Sequence, residues 1–208
     1  TPTLTKSFSP TTITNGGTTT LTFTLTNPTG SPAIKSSFTD TLPASLKVAA
    51  TPAISGTCSN VGTAGVVTAT AGSGSIVVSG VNVPAGAASC TITVAITNVL
   101  GSTNSSCASN PAAFTNGSGN ISGTTNVTNG VTNSCVIVTP PLPTLTKAFS
   151  PTSITDGGTT TLTFTLTNPA GAAATTSSFT DTLPASLKVA ATPAISGTCS
   201  NVGTAGVV

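Results

Sequence analysis

Arginine, glutamate, histidine, tryptophan and tyrosine are all missing from this chain, and charge of either sign is scarce: five lysines stand against three aspartates. Each gap closes off a class of function. A net charge of +2 over 208 residues gives no basic patch to lie along phosphates, so nucleic acid is not an expected partner. Asp40 is the only acid in residues 1–138, and no histidine or glutamate accompanies it. Neither a Ser-His-Asp site nor a pair of carboxylates can then be assembled, and no enzyme is expected. Zinc would need histidine or a Cys-x-x-Cys spacing, and calcium would need clustered carboxylates, so no metal or other cofactor is expected either. No apolar run approaches the ~20 residues of a membrane span, which argues against membrane insertion within these residues. A charged-then-apolar leader is missing too, so a secretion signal or anchor is expected outside them.

What is present is alternation. Residues 18–27 read TTTLTFTLTN, with Leu21, Phe23 and Leu25 alternating with threonines. A period of two puts three large apolar side chains on one face and β-branched threonines on the other, which suits a half-buried strand. Asn15-Gly16-Gly17 before it and Asn27-Pro28 after it are turn signals. Further strands are predicted at 3–8, 34–40, 47–50, 90–98 and 133–138, with a hairpin of 65–71 and 75–79 across Gly72-Ser73-Gly74. In CTITVAITN, Cys90, Ile92, Val94 and Ile96 share a face. Residues 100–130 thin out into Asn, Ser, Gly and Thr, with Phe114 and Ile121 as the expected core contacts. Short strands, regular turns and no helical period predict an all-β antiparallel sandwich; a parallel β-helix fits less well, because short internal repeats are missing. Regular apolar alternation also argues against disorder.

The chain repeats itself. Residues 2–67 return as 143–208, at an offset of about 141 and with roughly nine in ten positions identical. We read one complete unit (1–138), a stiff Pro-rich linker (139–143) and the first half of a second unit (144–208). Differences gather at 31–35 against 172–176, the expected site of an exposed loop. Cys58, Cys90, Cys107 and Cys135 belong to the complete unit, and Cys199 repeats Cys58. Four cysteines per unit in a chain of this composition point to disulfides and an oxidising compartment. Three pairings are open; Cys58–Cys90 with Cys107–Cys135 is favoured because these bracket separate halves of the unit. Free buried thiols are the alternative. Asn104, Asn116, Asn120 and Asn126 each begin a glycosylation sequon.

LTKSFSPTTITNGGTTTLTFTLTNP, FTDTLPASLKV, GTC and CTITV together resemble the bacterial surface-repeat family named "domain of unknown function eleven" and its proteobacterial relatives. The resemblance covers the first unit, loosely over 100–130, and TDTLPA is its most specific part. It implies immunoglobulin-like sandwiches strung in tandem on secreted or cell-surface proteins, some with internal Lys–Asn isopeptide bonds. Carried onto this sequence, the isopeptide candidates are Lys6, Asp40 and Asn116 (alternative Asn98), with Lys147 and Asp181 repeating two of them. The competing reading is an exposed lysine beside a turn-capping aspartate. The function expected is a non-catalytic structural repeat of an extracellular surface protein, a stalk or filament body whose partners are neighbouring repeats or copies of itself. An adhesin or glycan-binding module using loop residues is the alternative; the lack of Trp and Tyr weakens it.

Overall fold

The computed structural model describes residues 1–86, 88–169, 172 and 174–203. The chain divides into two compact units, Thr1–Leu142 with Pro169–Ala173, and Pro143–Asn168 with Ala174–Val208. In the first unit the chain runs through β1 (Thr3–Ser9), β2 (Thr12–Thr14), β3 (Thr18–Thr26), β4 (Ile34–Thr41), β5 (Leu46–Val48), β6 (Ser55–Gly56) and β7 (Val67–Thr68). Next come β8 (Ser75–Val83), β9 (Ser89–Asn98), one helical turn α1 (Pro111–Phe114) and β10 (Thr115–Asn116). The last elements are a 3-10 turn at Ser118–Asn120, β11 (Ile121–Thr125), β12 (Thr128–Asn129), β13 (Ser134–Cys135) and β14 (Ile137–Thr139).

The fold is all-β. One sheet has the order β12-β1-β3-β9-β5, with β6 also on β9, and a second has the order β11-β4-β8-β7. The threonine-rich strand β3 sits inside the first sheet, antiparallel to β1 on one side and to β9 on the other. Its Leu21, Phe23 and Leu25 are completely buried, as the alternation requires, and so are Ile92, Val94 and Ile96 of β9. Phe23 of the first sheet meets Phe38 of the second at 5.1 Å between ring centres, so the inner faces of the two sheets share one core. The threonines pair outside it: Thr26 with Ser89 at 2.8 Å, and Ser55 with Thr93 at 3.1 Å.

The structure departs from the sequence reading in places. The predicted hairpin forms between β7 and β8, but its first arm is two residues long and its second runs on to Val83. Two pairings, β1 with β12 and β14 with β2, are parallel rather than antiparallel. β2 and β6 were not expected at all. Residues 100–130 hold three short strands and two single turns, because Gly and Asn repeatedly break the ladder before a long strand can form. Phe114 and Ile121 do reach the core, Phe114 fully and Ile121 in part. Of the stretch that differs between the copies, Lys35 is exposed, whereas Ala173 lies outside the described residues.

Cys58 pairs with Cys90 and Cys107 with Cys135, at sequence separations of 32 and 28. The favoured pairing is the one formed, and it points to a non-reducing environment. Cys199 is free and exposed.

The second unit contains β15 (Thr144–Ser150) and β16 (Thr161–Thr167), paired in the register of β1 and β3, so that Lys147 faces Phe164 as Lys6 faces Phe23. Phe164 and Phe179 meet at 5.0 Å. Its apolar face is uncovered: Leu145, Phe179 and Val189 are 43%, 45% and 67% exposed, where Leu4, Phe38 and Val48 are 0%, 1% and 0%.

Because the Cys58–Cys90 bridge closes a loop of some thirty residues inside the core, replacing both cysteines by alanine should cost about 3–4 kcal/mol. The urea midpoint of the double variant measures this; an unchanged midpoint, or free thiols at both positions on unreduced peptide mapping, would contradict it.

Candidate functional site: a buried lysine, aspartate and asparagine

β1 places Leu4, Lys6 and Phe8 on its inward face, and all three are buried. The surface placement of Lys6 is therefore overturned: alternation carries it inside with its two apolar neighbours. On β4, Ser36, Phe38 and Asp40 share the inward face in the same way, and Asp40 is completely buried between Ile76 of β8 and Ile121 of β11. The turn-capping reading of Asp40 fails with it.

Asn116 arrives by a different route. Pro111 opens α1, where its fixed φ suits the first helical position and its missing N–H costs nothing. The turn ends on Phe114, whose ring is 1% exposed and pins this segment to the core. β10 then pairs with β13, setting Asn116 opposite Ser134. Ser134 in turn accepts a hydrogen bond at Oγ from the Phe8 backbone N–H, 3.3 Å away, which ties β13 to β1 and brings Asn116 over Lys6. Gly117 follows at a point where a Cβ would lie 2.2 Å from Asn133 Oδ1, so a larger residue there would have to displace the Asn133 side chain.

The three side chains close a ring of hydrogen bonds. Lys6 Nζ donates to Asp40 Oδ1 at 2.7 Å and to Asn116 Oδ1 at 2.5 Å, and Asn116 Nδ2 donates to Asp40 Oδ2 at 2.7 Å. The Lys6 and Asp40 side chains are both 0% exposed. Burial pushes the Lys6 amine below its ordinary value, against the pull of Asp40. Burial likewise pushes Asp40 above its ordinary value, opposed by Lys6 and by the Asn116 hydrogen bond. Both directions favour an uncharged pair, since a dry site penalises two separated charges more than it penalises a proton moved from amine to acid.

This arrangement has definite chemistry. A neutral amine is a nucleophile, and its nitrogen lies beside the carboxamide oxygen of Asn116. Asp40 touches both the attacking nitrogen and the nitrogen that would leave, so one carboxyl group can take a proton from the first and give it to the second.

Other sequence-selected residues lie elsewhere. Asn98, the alternative to Asn116, does not reach Lys6; its Nδ2 donates to Asn15 Oδ1 at 2.6 Å and to the Val99 and Ser102 carbonyls, holding the loop after β9. Asn104 is buried and brackets β14 through Val136 O and Val138 N. Of the four sequon asparagines only Asn126 is exposed, and its amide donates to Lys35 O; Asn120, partly buried, donates to Thr41 O. In the second unit Lys147 contacts Asp181 as Lys6 contacts Asp40, with side chains 50% and 18% exposed. Sequence reading missed Ser134 and Gly117 as supports of the site; a glycine right after the expected asparagine is the one signal available for them. No group of residues suited to a metal occurs among the described residues.

Fold and site together define an all-β repeat with a Lys–Asp–Asn cluster sealed in its core. The chain belongs to the family described as Domain of unknown function (DUF7933), whose pattern matches residues 2–138 and again 143–207. No curated protein matches it.

The role assigned to Asp40 is tested by Asp40→Asn, which keeps the volume and most of the hydrogen bonding but cannot carry the proton. The variant should show its full sequence mass after allowance for disulfides, one ammonia closer to the calculated value than the parent chain. An equal ammonia deficit in both would remove Asp40 from the chemistry.

Proposed function

We propose that this chain is a non-catalytic, load-bearing repeat of an extracellular surface protein, built from immunoglobulin-like units and braced by an internal Lys6–Asn116 amide. The buried Lys6–Asp40–Asn116 ring carries this reading. The amine attacks the Asn116 carboxamide carbon, the new C–N bond replaces the bond to Nδ2, and ammonia leaves. Nothing turns over: the site acts once, on itself.

The placement of the cluster supports a mechanical purpose. The chain comes in at Thr3, opposite Thr26 at one end of β3. It goes out at Thr139, whose carbonyl accepts the Asn15 N–H at 2.8 Å, just before the other end of β3. At ~3.4 Å per residue the nine-residue β3 separates these points by roughly 27 Å, so a pull on both ends runs along the strands. Lys6 and Asn116 sit near the two ends of the unit's sequence, 110 positions apart. An amide between them passes tension directly from β1 to β10 and shields everything between. The near-identical second copy, the Pro-rich linker, the two disulfides and the resemblance to the surface-repeat family "domain of unknown function eleven" all support the same reading. Neighbouring repeats or further copies are the natural partners: a surface of Thr, Ser and Asn with little charge suits close packing better than solubility as a lone domain. No helix among the described residues is long and apolar enough to cross a membrane. Glycan binding has less support, since the cleft lined by Lys35, Thr57, Ser59 and Asn82 offers no aromatic ring for a sugar to stack on.

Single-molecule stretching under reducing conditions tests the claim. Without the amide, as in Lys6→Arg, unfolding the first unit should release on the order of 450 Å of chain at ~3.4 Å per residue. In the parent chain the 110 positions between Lys6 and Asn116 stay closed, and the release should fall to roughly a sixth of that. Equal release from both would contradict a load-bearing crosslink.

A further inference from the structure

Asn116 is followed by a glycine, and that dipeptide has a second reaction open to it. The backbone nitrogen of the residue after an asparagine can itself attack the carboxamide carbon. The new C–N bond closes a five-membered succinimide, the bond to Nδ2 breaks, and ammonia leaves. Water then opens the ring to aspartate or isoaspartate. Glycine hinders this path least, because it has no Cβ and its backbone bends freely. Both reactions consume the same carboxamide, so an amide to Lys6 requires the Gly117 nitrogen to be held away. Packing does not allow the glycine to be exchanged simply: it is buried, and a Cβ there would meet Asn133.

Asn120 sits where the two paths divide. Its Oδ1 accepts the Gly117 N–H at 2.8 Å, and its Nδ2 donates to Thr41 O at 2.7 Å. The Gly117 nitrogen must give up that proton before it can attack. A hydrogen bond to a carboxamide oxygen withholds the proton from solvent base and aims the nitrogen at residue 120. Thr41 directly follows Asp40, so one side chain joins the residue after the asparagine to the residue after the acid. Ile121, the next residue, pairs with Asp40 itself, which keeps the two segments in register. The other Asn-Gly steps of the sequence are held in the same way: the Gly16 N–H donates to Asn98 Oδ1 at 2.8 Å and the Gly130 N–H to Leu4 O at 3.0 Å. Of the three, Asn116 is the one whose carboxamide is gripped by an amine and an acid.

We propose that Asn120 is a positioning residue that selects the nucleophile at Asn116: by holding the Gly117 N–H it closes the succinimide path and leaves the carboxamide to Lys6 Nζ. This rests on the amide-forming reading of the cluster and gives that reaction its specificity. An asparagine marked in the sequence only as a sequon thus has a task inside the unit, with both ends of its carboxamide engaged by backbone groups.

The test follows residue 116 by peptide mapping after incubation at mildly alkaline pH, with Asn15 and Asn129 as internal references. In Lys6→Arg, which has no amine to compete, Asn116 should stay intact. Adding Asn120→Ala to it should raise aspartate plus isoaspartate at 116 by roughly fivefold to tenfold, the scale of one hydrogen bond, and leave Asn15 and Asn129 as they were. Asn120→Asp, which keeps an oxygen for the Gly117 N–H but cannot donate to Thr41, should leave 116 protected. With Lys6 present, Asn120→Ala should yield isoaspartate at 116 alongside the branched Lys6–Asn116 peptide. No rise at 116 in the Lys6→Arg pair, or a rise with Asn120→Asp, overturns the proposal. So does an equal rise at all three asparagines, or an Asn120→Ala chain whose Asn116 is simply unreacted, since either marks Asn120 as a general support of the fold. If the parent chain gives no branched peptide, the underlying amide reading has failed; if it does and the Lys6→Arg pair shows no rise, only the role of Asn120 has.

Discussion

An amine, a carboxyl group and a carboxamide buried together away from solvent set the terms for everything else in this structure. A lone lysine or aspartate in such a core would cost several kcal/mol. Here each polar atom of the cluster meets another, and burial shifts Lys6 down and Asp40 up, both toward the uncharged pair. The same burial that makes the site expensive favours the neutral amine, which is the form that can attack a carboxamide. The fold has to hold three remote segments of sequence in register, and the rigid Leu21–Phe23–Leu25 strand with its neighbours does so.

Much of this was legible in the sequence. Strict alternation in β3 and β9 gave the strands, their inward faces and the all-β class, because a period of two leaves no helical option. The same parity in Leu4-Thr5-Lys6-Ser7-Phe8 and in Phe38-Thr39-Asp40 already put Lys6 and Asp40 among core residues, in conflict with the bland expectation that a lysine points outward. Asn116 was harder. Its segment has no period, and its place depends on Phe114, on β13 and on a serine hydroxyl that no local pattern marks. The parallel pairings of β12 and β14 were invisible for the same reason: contacts of two or three residues between distant segments leave no signature in either one.

The unusual composition follows from the same constraints. With one aspartate and three lysines in the first unit, long-range electrostatics contributes little, and covalent and packing terms must dominate. Two disulfides close loops in separate regions of the unit, and hydroxyl pairs across neighbouring strands supply the outer surface.

The account stands or falls on whether the ring of hydrogen bonds around Lys6 has become a bond. Intact-mass measurement of the reduced, denatured chain, followed by sequencing of its crosslinked fragments, answers this directly. The account predicts a mass one ammonia below that of the sequence and a branched peptide joining Lys6 to Asn116. The full sequence mass, with both residues recovered in separate linear peptides, would contradict it.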